Sequence, residues 1–208
     1  AQLPVPSAAQ RLRSETLSRL IRQKIAHNGG WLSFDAYMNL ALYTPELGYY
    51  TNDLSPFSMW AEQGDFITAP LLSPLFGASL AEQAMEVFDL MPDTPPRILE
   101  FGAGTGRLAA DIVQHLAQRG IAVDYQIMEL SASLRAQQQA TIHDALAHTP
   151  HQHTFTWLDA LPEQFNGVMI GNEVLDAMPV RLIGMNQGQW FERGVAVEHD
   201  QLVWRDRP

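Results

Sequence analysis

A glycine-rich turn follows a short apolar segment in the middle of the chain, within Arg97–Gly106 (RILEFGAGTG). Gly102, Gly104 and Gly106 lack a Cβ atom, so the backbone of this turn can approach a ligand closely. A dinucleotide fingerprint has the spacing G-x-G-x-x-G, whereas the third glycine arrives here one position early. Together with the acidic Glu100, this spacing favours S-adenosylmethionine as the ligand, although a plain tight turn also fits the glycines.

A second acidic residue, Glu129, ends the next apolar segment and lies 25 positions after Gly104. In parallel α/β folds, a carboxylate at the end of the second strand accepts hydrogen bonds from both ribose hydroxyls of a nucleoside, at an offset of about 20 residues. The spacing predicts that Glu129 and its neighbour Leu130 belong to a nucleoside site. The alternative is a solvated Glu129 beside a helix that Ser131 caps.

Polar side chains also follow the third and fourth apolar segments. Asp159 could accept a hydrogen bond from an adenine amine, or could simply cap its loop. Asn172, Glu173 and Asp176 come directly after the fourth segment, at the edge where open parallel sheets bind ligands. We interpret these three residues as candidate catalytic groups. The alternative is that Asn172 and Asp176 only form a turn.

The elements that position these residues alternate as parallel strand–helix units do. Apolar periodicity and turn residues predict strands at Arg97–Phe101, Val123–Glu129, Phe155–Leu158 and Val168–Gly171, and helices at Thr105–Gln118 and Ala132–Ala147. We therefore expect an open parallel sheet of the Rossmann-like type, of which four strands are visible.

The regions on either side of these strand–helix units have a different pattern of predicted elements. Residues 11–44 are predicted to form a helical pair, and a further helix begins at Ser73-Pro74. The stretch from Pro45 to Pro74 is irregular, which is typical of a functional loop. After Pro179, short β-like runs joined by turn residues predict antiparallel hairpins, with no return to strand–helix alternation.

Composition excludes several classes of function. The net charge of -10 opposes non-specific binding to nucleic acid or to anionic membranes, and no apolar run approaches the roughly 20 residues that span a bilayer. The absence of cysteine is consistent with the cytoplasm and rules out thiolate metal sites. Four of the seven histidines cluster between residues 143 and 153, namely His143, His148, His151 and His153. This cluster has no carboxylate or cysteine in a ligand spacing, so we predict no metal site.

Several blocks of sequence resemble, in order, the MidA-type methyltransferases, a family that includes the mitochondrial protein arginine methyltransferase involved in respiratory complex I assembly. The blocks are Met38–Tyr50, Gly64–Pro70, Leu75–Gly77, Glu100–Gly106, Glu129–Ser131 with Leu134, Arg135 and Gln138, and Asn172–Val180. The resemblance runs from about residue 20 to the end of the chain, and independent blocks in the same order make it specific.

The resemblance implies a seven-stranded methyltransferase sheet with an N-terminal helical lobe, S-adenosyl-L-methionine as cofactor, and an arginine of a partner protein, such as a respiratory complex subunit, as acceptor. It implies that Glu100 and the three glycines cradle the cofactor, and that the Gly64–Pro70 loop covers it with Asp65 and Thr68 at the methionine end. It also implies a C-terminally incomplete chain, located in the bacterial cytoplasm or, for a eukaryote, in the mitochondrial matrix.

We therefore expect three parts along the chain. Residues 1–92 would form the helical lobe and the covering loop, residues 93–179 the Rossmann-like cofactor-binding core, and residues 180–208 the start of a β-rich substrate lobe. Two alternatives to an active methyltransferase stay open. One is an assembly module that binds S-adenosylmethionine or its product without turnover, and the other is a nicotinamide oxidoreductase, which the glycine spacing disfavours.

Overall fold

The computed structural model describes residues 5–51, 69–147 and 153–208. The helices are α1 (Ala8–His27), α2 (Phe34–Tyr43), α3 (Ala69–Leu72), α4 (Pro74–Asp89), α5 (Arg107–Gln118) and α6 (Ala132–Leu146), and a 3-10 turn covers Leu175–Ala177. The strands are β1 (Trp31–Ser33), β2 (Arg97–Phe101), β3 (Asp124–Met128), β4 (Thr154–Leu158), β5 (Val168–Gly171), β6 (Leu182–Asn186), β7 (Gln189–Glu198) and β8 (Gln201–Arg207). Within the described ranges, none of the helices is both long enough and apolar enough to cross a membrane.

The first helix shows how local sequence sets the element boundaries. The Ser7 hydroxyl accepts a hydrogen bond from the backbone N–H of Gln10, and the side-chain oxygen of Gln10 accepts one from the backbone N–H of Ser7. This reciprocal pair is a capping box. At the other end, Gly29 and Gly30 have φ angles of 70° and 81°, which glycine tolerates without a Cβ clash. The capping box starts helix α1 at Ala8, three residues before the start at residue 11 that the sequence predicts.

Strands β2 to β5 form a parallel sheet in the order β4-β3-β2-β5. This confirms the predicted Rossmann-like α/β class. In the central strand, Ile98 and Leu99 are both 0% exposed, because helices cover a parallel sheet on both faces. Helix α5 contributes a continuous buried face to this core, including Ile112 and Leu116.

Helix α4 lies unusually close to α5 at Gly77. A Cβ atom at this position would lie 2.6 Å from Cβ of Asp111, a distance that real Cβ atoms do not adopt. Ala81 and Ala84 continue the same buried stripe with small side chains, so the two helices can approach along their length. Asp111 is in turn held by Arg107, whose Nε atom lies 2.9 Å from the carboxylate.

We expect Gly77→Ala to destabilise the protein. Alanine favours a helix by up to about 1 kcal/mol over glycine, but overpacking typically costs about 1–3 kcal/mol, and the 2.6 Å approach makes the steric cost the larger effect. Urea denaturation should show a net loss of about 1–2 kcal/mol. Ser79→Ala, at an exposed position of the same helix, is the control and should change stability by less than about 0.5 kcal/mol. A stabilising Gly77→Ala would contradict this packing.

The described residues form two compact units, one within Leu54–Asp176 and the other combining Ala1–Asp53 with Ala177–Pro208. In the second unit, β7 pairs antiparallel with β6, β8 and β1. The predicted C-terminal hairpins are therefore confirmed. Helix α1 packs through Ile21 and Ile25, and α2 through Tyr37 and Leu40. Both helices pack against Leu32 of β1 and Val195 of β7.

This grouping differs from the three predicted parts. The N-terminal helices share a unit with the C-terminal strands because β1 pairs with β7, from Trp31 opposite Ala196 to Ser33 opposite Gly194. Helix α4, predicted to belong to the N-terminal lobe, instead belongs to the unit of the parallel sheet, where Phe88 joins the core. A three-residue strand is too short to show a period in the sequence, so this pairing could not be predicted from it.

Candidate functional site

The four parallel strands end level with one another. Phe101 is the register partner of Met128 and of Gly171, and Met128 is the partner of Leu158. The candidate residues that follow each strand therefore lie along one edge of the sheet, where open α/β sheets bind ligands. These residues are Gly102 after β2, Glu129 after β3, Asp159 after β4 and Asn172 after β5.

The turn after β2 requires its glycines. Gly102, Gly104 and Gly106 have φ angles of 60°, 53° and 82°, in the left-handed region that side chains disfavour. A Cβ atom on Gly102 would also lie 2.8 Å from Cγ2 of Val174, and one on Gly106 would lie 2.9 Å from Cα of Gln138. The turn is thus packed against both the segment after β5 and helix α6.

Glu129 is held in place by its neighbours. Glu129 is only 7% exposed. Its Oε1 accepts a hydrogen bond from the backbone N–H of Ser131 at 2.9 Å, and its Oε2 accepts one from Nε2 of Gln138 at 3.0 Å. An ionised carboxylate has about four acceptor positions, so two hydroxyl groups can still be accommodated. This arrangement suits the ribose of a nucleoside. It differs from the alternative in which the Glu129 side chain is exposed to solvent.

Glu100, predicted to help bind the cofactor, is buried inside the unit that contains the parallel sheet. It is 2% exposed, and its Oε2 accepts a hydrogen bond from the hydroxyl of Tyr125 at 2.8 Å. Burial raises the pKa of Glu100 to about 7, the Tyr125 hydrogen bond works against this rise, and the charge of Glu129 adds to it. A direct contact between Glu100 and a ligand stays a prediction.

The raised pKa of Glu100 predicts a pH-dependent stability. The folded state binds a proton between the ordinary value of 4.5 and about 7, where the unfolded chain does not. The corresponding stability is therefore fully present below 4.5 and is lost as the pH rises through about 7. We expect the free energy of unfolding of the ligand-free protein to fall by about 2 kcal/mol between pH 5 and pH 8.

Glu100→Gln should remove this fall, because the amide stays neutral and can still accept from Tyr125. The measurement is a series of urea denaturations of wild type and variant between pH 5 and pH 8. The quantity compared is the difference in their free energies of unfolding at each pH. An identical pH dependence in wild type and variant would show that Glu100 is ionised throughout. The exposed Glu163→Gln is the matched control and should follow the wild type.

Asp159 and Leu130 are accessible at the same edge. The Asp159 side chain is 89% exposed and forms an ion pair with Nη1 of Arg135 at 2.8 Å. Arg135 also donates to the carbonyl oxygens of Glu129 and Leu158, so one guanidinium joins the ends of β3 and β4. Leu130 is 73% exposed, so its side chain is accessible at this edge of the sheet.

The segment after β5 carries the candidate catalytic residues. Glu173 is exposed and has a φ angle of 54°, a conformation that costs a non-glycine residue about 1–3 kcal/mol and is concentrated at functional sites. Asn172 is half-buried and Asp176 is exposed within the 3-10 turn. Val174, between them, packs on Gly102 and so fixes this segment against the glycine turn.

Two predicted residues, Asp65 and Thr68, lie outside the described residues. Within the ranges that the structure describes, no group of three or more histidine, aspartate or glutamate side chains could hold a metal ion. The structure adds Gln138, Tyr125 and Arg135 to the neighbourhood of the predicted residues. Besides its place in a resembling block, the sequence signal for Gln138 is its position four residues after Leu134 and four before Ile142, on the buried stripe of α6.

Comparison with protein families gives a match over residues 79–208, to the family described as "Putative S-adenosyl-L-methionine-dependent methyltransferase". Among curated proteins, the chain is similar to two relatives named protein arginine methyltransferase NDUFAF7, both described as mitochondrial. The homolog from Drosophila melanogaster is 28% identical, over 90% of this chain and 46% of the relative. The protein from Mus musculus is 31% identical, over 81% of this chain and 43% of the relative.

The chain is also similar to solved structures of a COG1565 superfamily protein from Burkholderia thailandensis. One of them is bound to S-adenosyl-homocysteine and matches with a TM-score of 0.89 and 43% identity, over 100% of this chain and 53% of that chain. The native structure matches with a TM-score of 0.82 and 42% identity, over 100% and 52% of the two chains. The chain thus spans about half the length of the relatives it matches.

Proposed function

The chain belongs to the S-adenosyl-L-methionine-dependent methyltransferase family that matches residues 79–208, and we propose that the protein methylates an arginine of a partner protein. The observation that carries this proposal is the level edge of the parallel sheet, which brings the glycine turn, Glu129 and the Asn172–Asp176 segment together. The 43% identity to a protein bound to S-adenosyl-homocysteine supports it. The predicted cofactor class, S-adenosyl-L-methionine, is that of the matching family and of the structure bound to S-adenosyl-homocysteine.

The residues present fit such a cofactor. Glu129 would hold the ribose, the backbone of Gly102, Gly104 and Gly106 would line the nucleoside and methionine portions, and Asp159 would accept from the adenine amine. The cofactor supplies an electrophilic methyl group on a sulfonium sulfur. The protein's contribution is then to position the acceptor nitrogen and to stabilise the charge that moves during transfer.

An arginine acceptor needs a carboxylate nearby. A guanidinium has a pKa above about 12 and its nitrogen atoms are poor nucleophiles. Glu173 would accept two hydrogen bonds from the guanidinium in a fork, which orients one nitrogen and concentrates positive charge on the others. Asn172 or Asp176 would assist from the same segment. The exposed position of Glu173 just after β5, at the carboxyl edge of the parallel sheet, supports this role.

The relatives support a protein acceptor and, for a eukaryotic source, a mitochondrial compartment. Both NDUFAF7 relatives are named as protein arginine methyltransferases of mitochondria. We propose a respiratory complex subunit as the acceptor protein, in the cytoplasm if the source is bacterial and in the mitochondrial matrix if it is eukaryotic.

Mass spectrometry of a lysate tests the proposal. A lysate from cells that lack the protein is incubated with the intact protein and isotopically labelled S-adenosylmethionine, and tryptic peptides are searched for the label. We expect labelled methyl groups on arginine in one or a few proteins. Label on another residue type would exclude an arginine acceptor, and binding of S-adenosyl-homocysteine without any labelled peptide would support an assembly module instead.

A further inference from the structure

Gln138 carries a buried side-chain amide beside the glycine turn and Glu129, at the edge of the parallel sheet where the strands end. It is 0% exposed, although glutamine is usually a surface residue. Its Nε2 donates to the carbonyl oxygen of Gly104 and to Oε2 of Glu129, both at 3.0 Å. Its Oε1 accepts from Nε1 of Trp157 at 2.8 Å. One side chain on α6 thus joins the glycine turn, the end of β3 and strand β4.

The orientation of this amide is determined by its partners. The indole N–H of Trp157 can only donate, so it must face the amide oxygen. The Gly104 carbonyl and the Glu129 carboxylate can only accept, so they must face the amide nitrogen. A reversed amide would set donor against donor and acceptor against acceptor inside the protein, where unsatisfied groups are costly. Gln138 therefore directs its two N–H groups at the two elements of the predicted cofactor site.

Backbone packing brings the same residue against the glycine turn. A Cβ atom on Gly106 would lie 2.9 Å from Cα and 3.2 Å from the carbonyl oxygen of Gln138. Helix α6 consequently supports the turn at Gly106 through its backbone and at Gly104 through the Gln138 side chain. Any displacement of Gln138 would move the turn and the Glu129 carboxylate together.

From these contacts we propose that Gln138 is a positioning residue for the cofactor: it fixes the Glu129 carboxylate and the Gly104 peptide in one geometry without touching the ligand. The inference rests on the proposed function, since it assumes that Glu129 and the turn bind S-adenosylmethionine. Its basis is a second layer of hydrogen bonds, and such layers commonly control binding by orienting the groups that make direct contact.

Calorimetric titration with S-adenosyl-homocysteine tests the role. Gln138→Leu introduces an apolar side chain of similar size and removes both donors and the acceptor, and we expect at least 10-fold weaker binding. Gln139→Leu is the matched control, because Gln139 is the exposed next residue of the same helix and should bind within 2-fold of wild type. Circular dichroism and thermal unfolding check that each variant is folded.

A pH series separates positioning from a general effect on stability. In Gln138→Glu the new carboxyl group faces Glu129 Oε2 and the Gly104 carbonyl. When ionised it repels Glu129, and when protonated it can donate one hydrogen bond to either acceptor. We expect the affinity of this variant, relative to wild type, to rise by about 10-fold from pH 8 to pH 5.5. Gln139→Glu should show no such relative rise.

The outcomes are distinguishable. If wild type does not bind S-adenosyl-homocysteine, the cofactor site itself is wrong and the role of Gln138 falls with it. If wild type binds, equal affinity in a folded Gln138→Leu, or a Gln138→Glu affinity that runs parallel to wild type across the pH range, overturns the role of Gln138 alone. Should Gln138→Leu fail to fold, the pH series of Gln138→Glu decides.

Discussion

Glu129→Gln should weaken the binding of S-adenosyl-homocysteine by at least 100-fold. The carboxylate already accepts from the Ser131 amide and from Gln138, and its remaining acceptor positions would receive the two ribose hydroxyls. An amide at this position always turns its NH2 group toward a donor, either the Ser131 N–H or the NH2 of Gln138. Each lost hydrogen bond to a charged group costs about 1.5–3 kcal/mol, and 1.4 kcal/mol is a factor of 10 in affinity.

Isothermal titration calorimetry measures this effect directly. Glu163→Gln removes the same charge at an exposed position of the same unit and should leave the affinity within 2-fold. Comparison of the two variants separates the hydrogen bonds of Glu129 from the loss of one negative charge. Unchanged binding in Glu129→Gln would mean that the ribose does not bind at the end of β3.

Glu173→Gln should lower the rate of methyl transfer by about 1,000-fold and leave the affinity for S-adenosyl-homocysteine within 3-fold. The amide can still hydrogen-bond a guanidinium, but it no longer offers two acceptor oxygens or the negative charge that localises the positive charge of the acceptor. Removal of one preorganised electrostatic group typically costs 10²–10³-fold or more in rate, on the order of 3–4 kcal/mol.

The assay compares single-turnover transfer of labelled methyl to the acceptor identified in the lysate, with the intact protein in excess. Glu198→Gln serves as a control at an exposed acidic position, since its neighbour is Arg205 on the adjacent strand and it follows none of the parallel strands. Transfer at the wild-type rate in Glu173→Gln would remove this residue from the mechanism, even if the cofactor site is correct.

Much of the fold could be predicted because its local signals are strong. The predicted limits of β2 and β5 are those observed, since each is a compact apolar run bounded by turn residues. The Ser131 cap predicted for α6 is also observed, with the Leu134 amide donating to the Ser131 hydroxyl. Parallel pairing then brings the strand ends level, so the edge that carries the candidate residues follows from the order of elements.

The rest depends on contacts between segments far apart in the sequence. The strand at Trp31–Ser33 exists through its pairing with β7, and three residues carry no periodicity of their own. Glu100 has the same sequence signature as an exposed ligand-binding carboxylate, but its burial depends on Tyr125 of the neighbouring strand. Gln138 was recognisable as part of a resembling block, while its three partners come from the glycine turn, the residue after β3 and strand β4.

Competition between S-adenosyl-homocysteine and NADH tests the central claim most directly. The chain is titrated with each ligand separately and then with S-adenosyl-homocysteine in the presence of excess NADH. We predict one molecule of S-adenosyl-homocysteine bound per chain, with an affinity that NADH does not change. Tight binding of NADH together with no binding of S-adenosyl-homocysteine would contradict the assignment of this sheet edge to a methyltransferase cofactor.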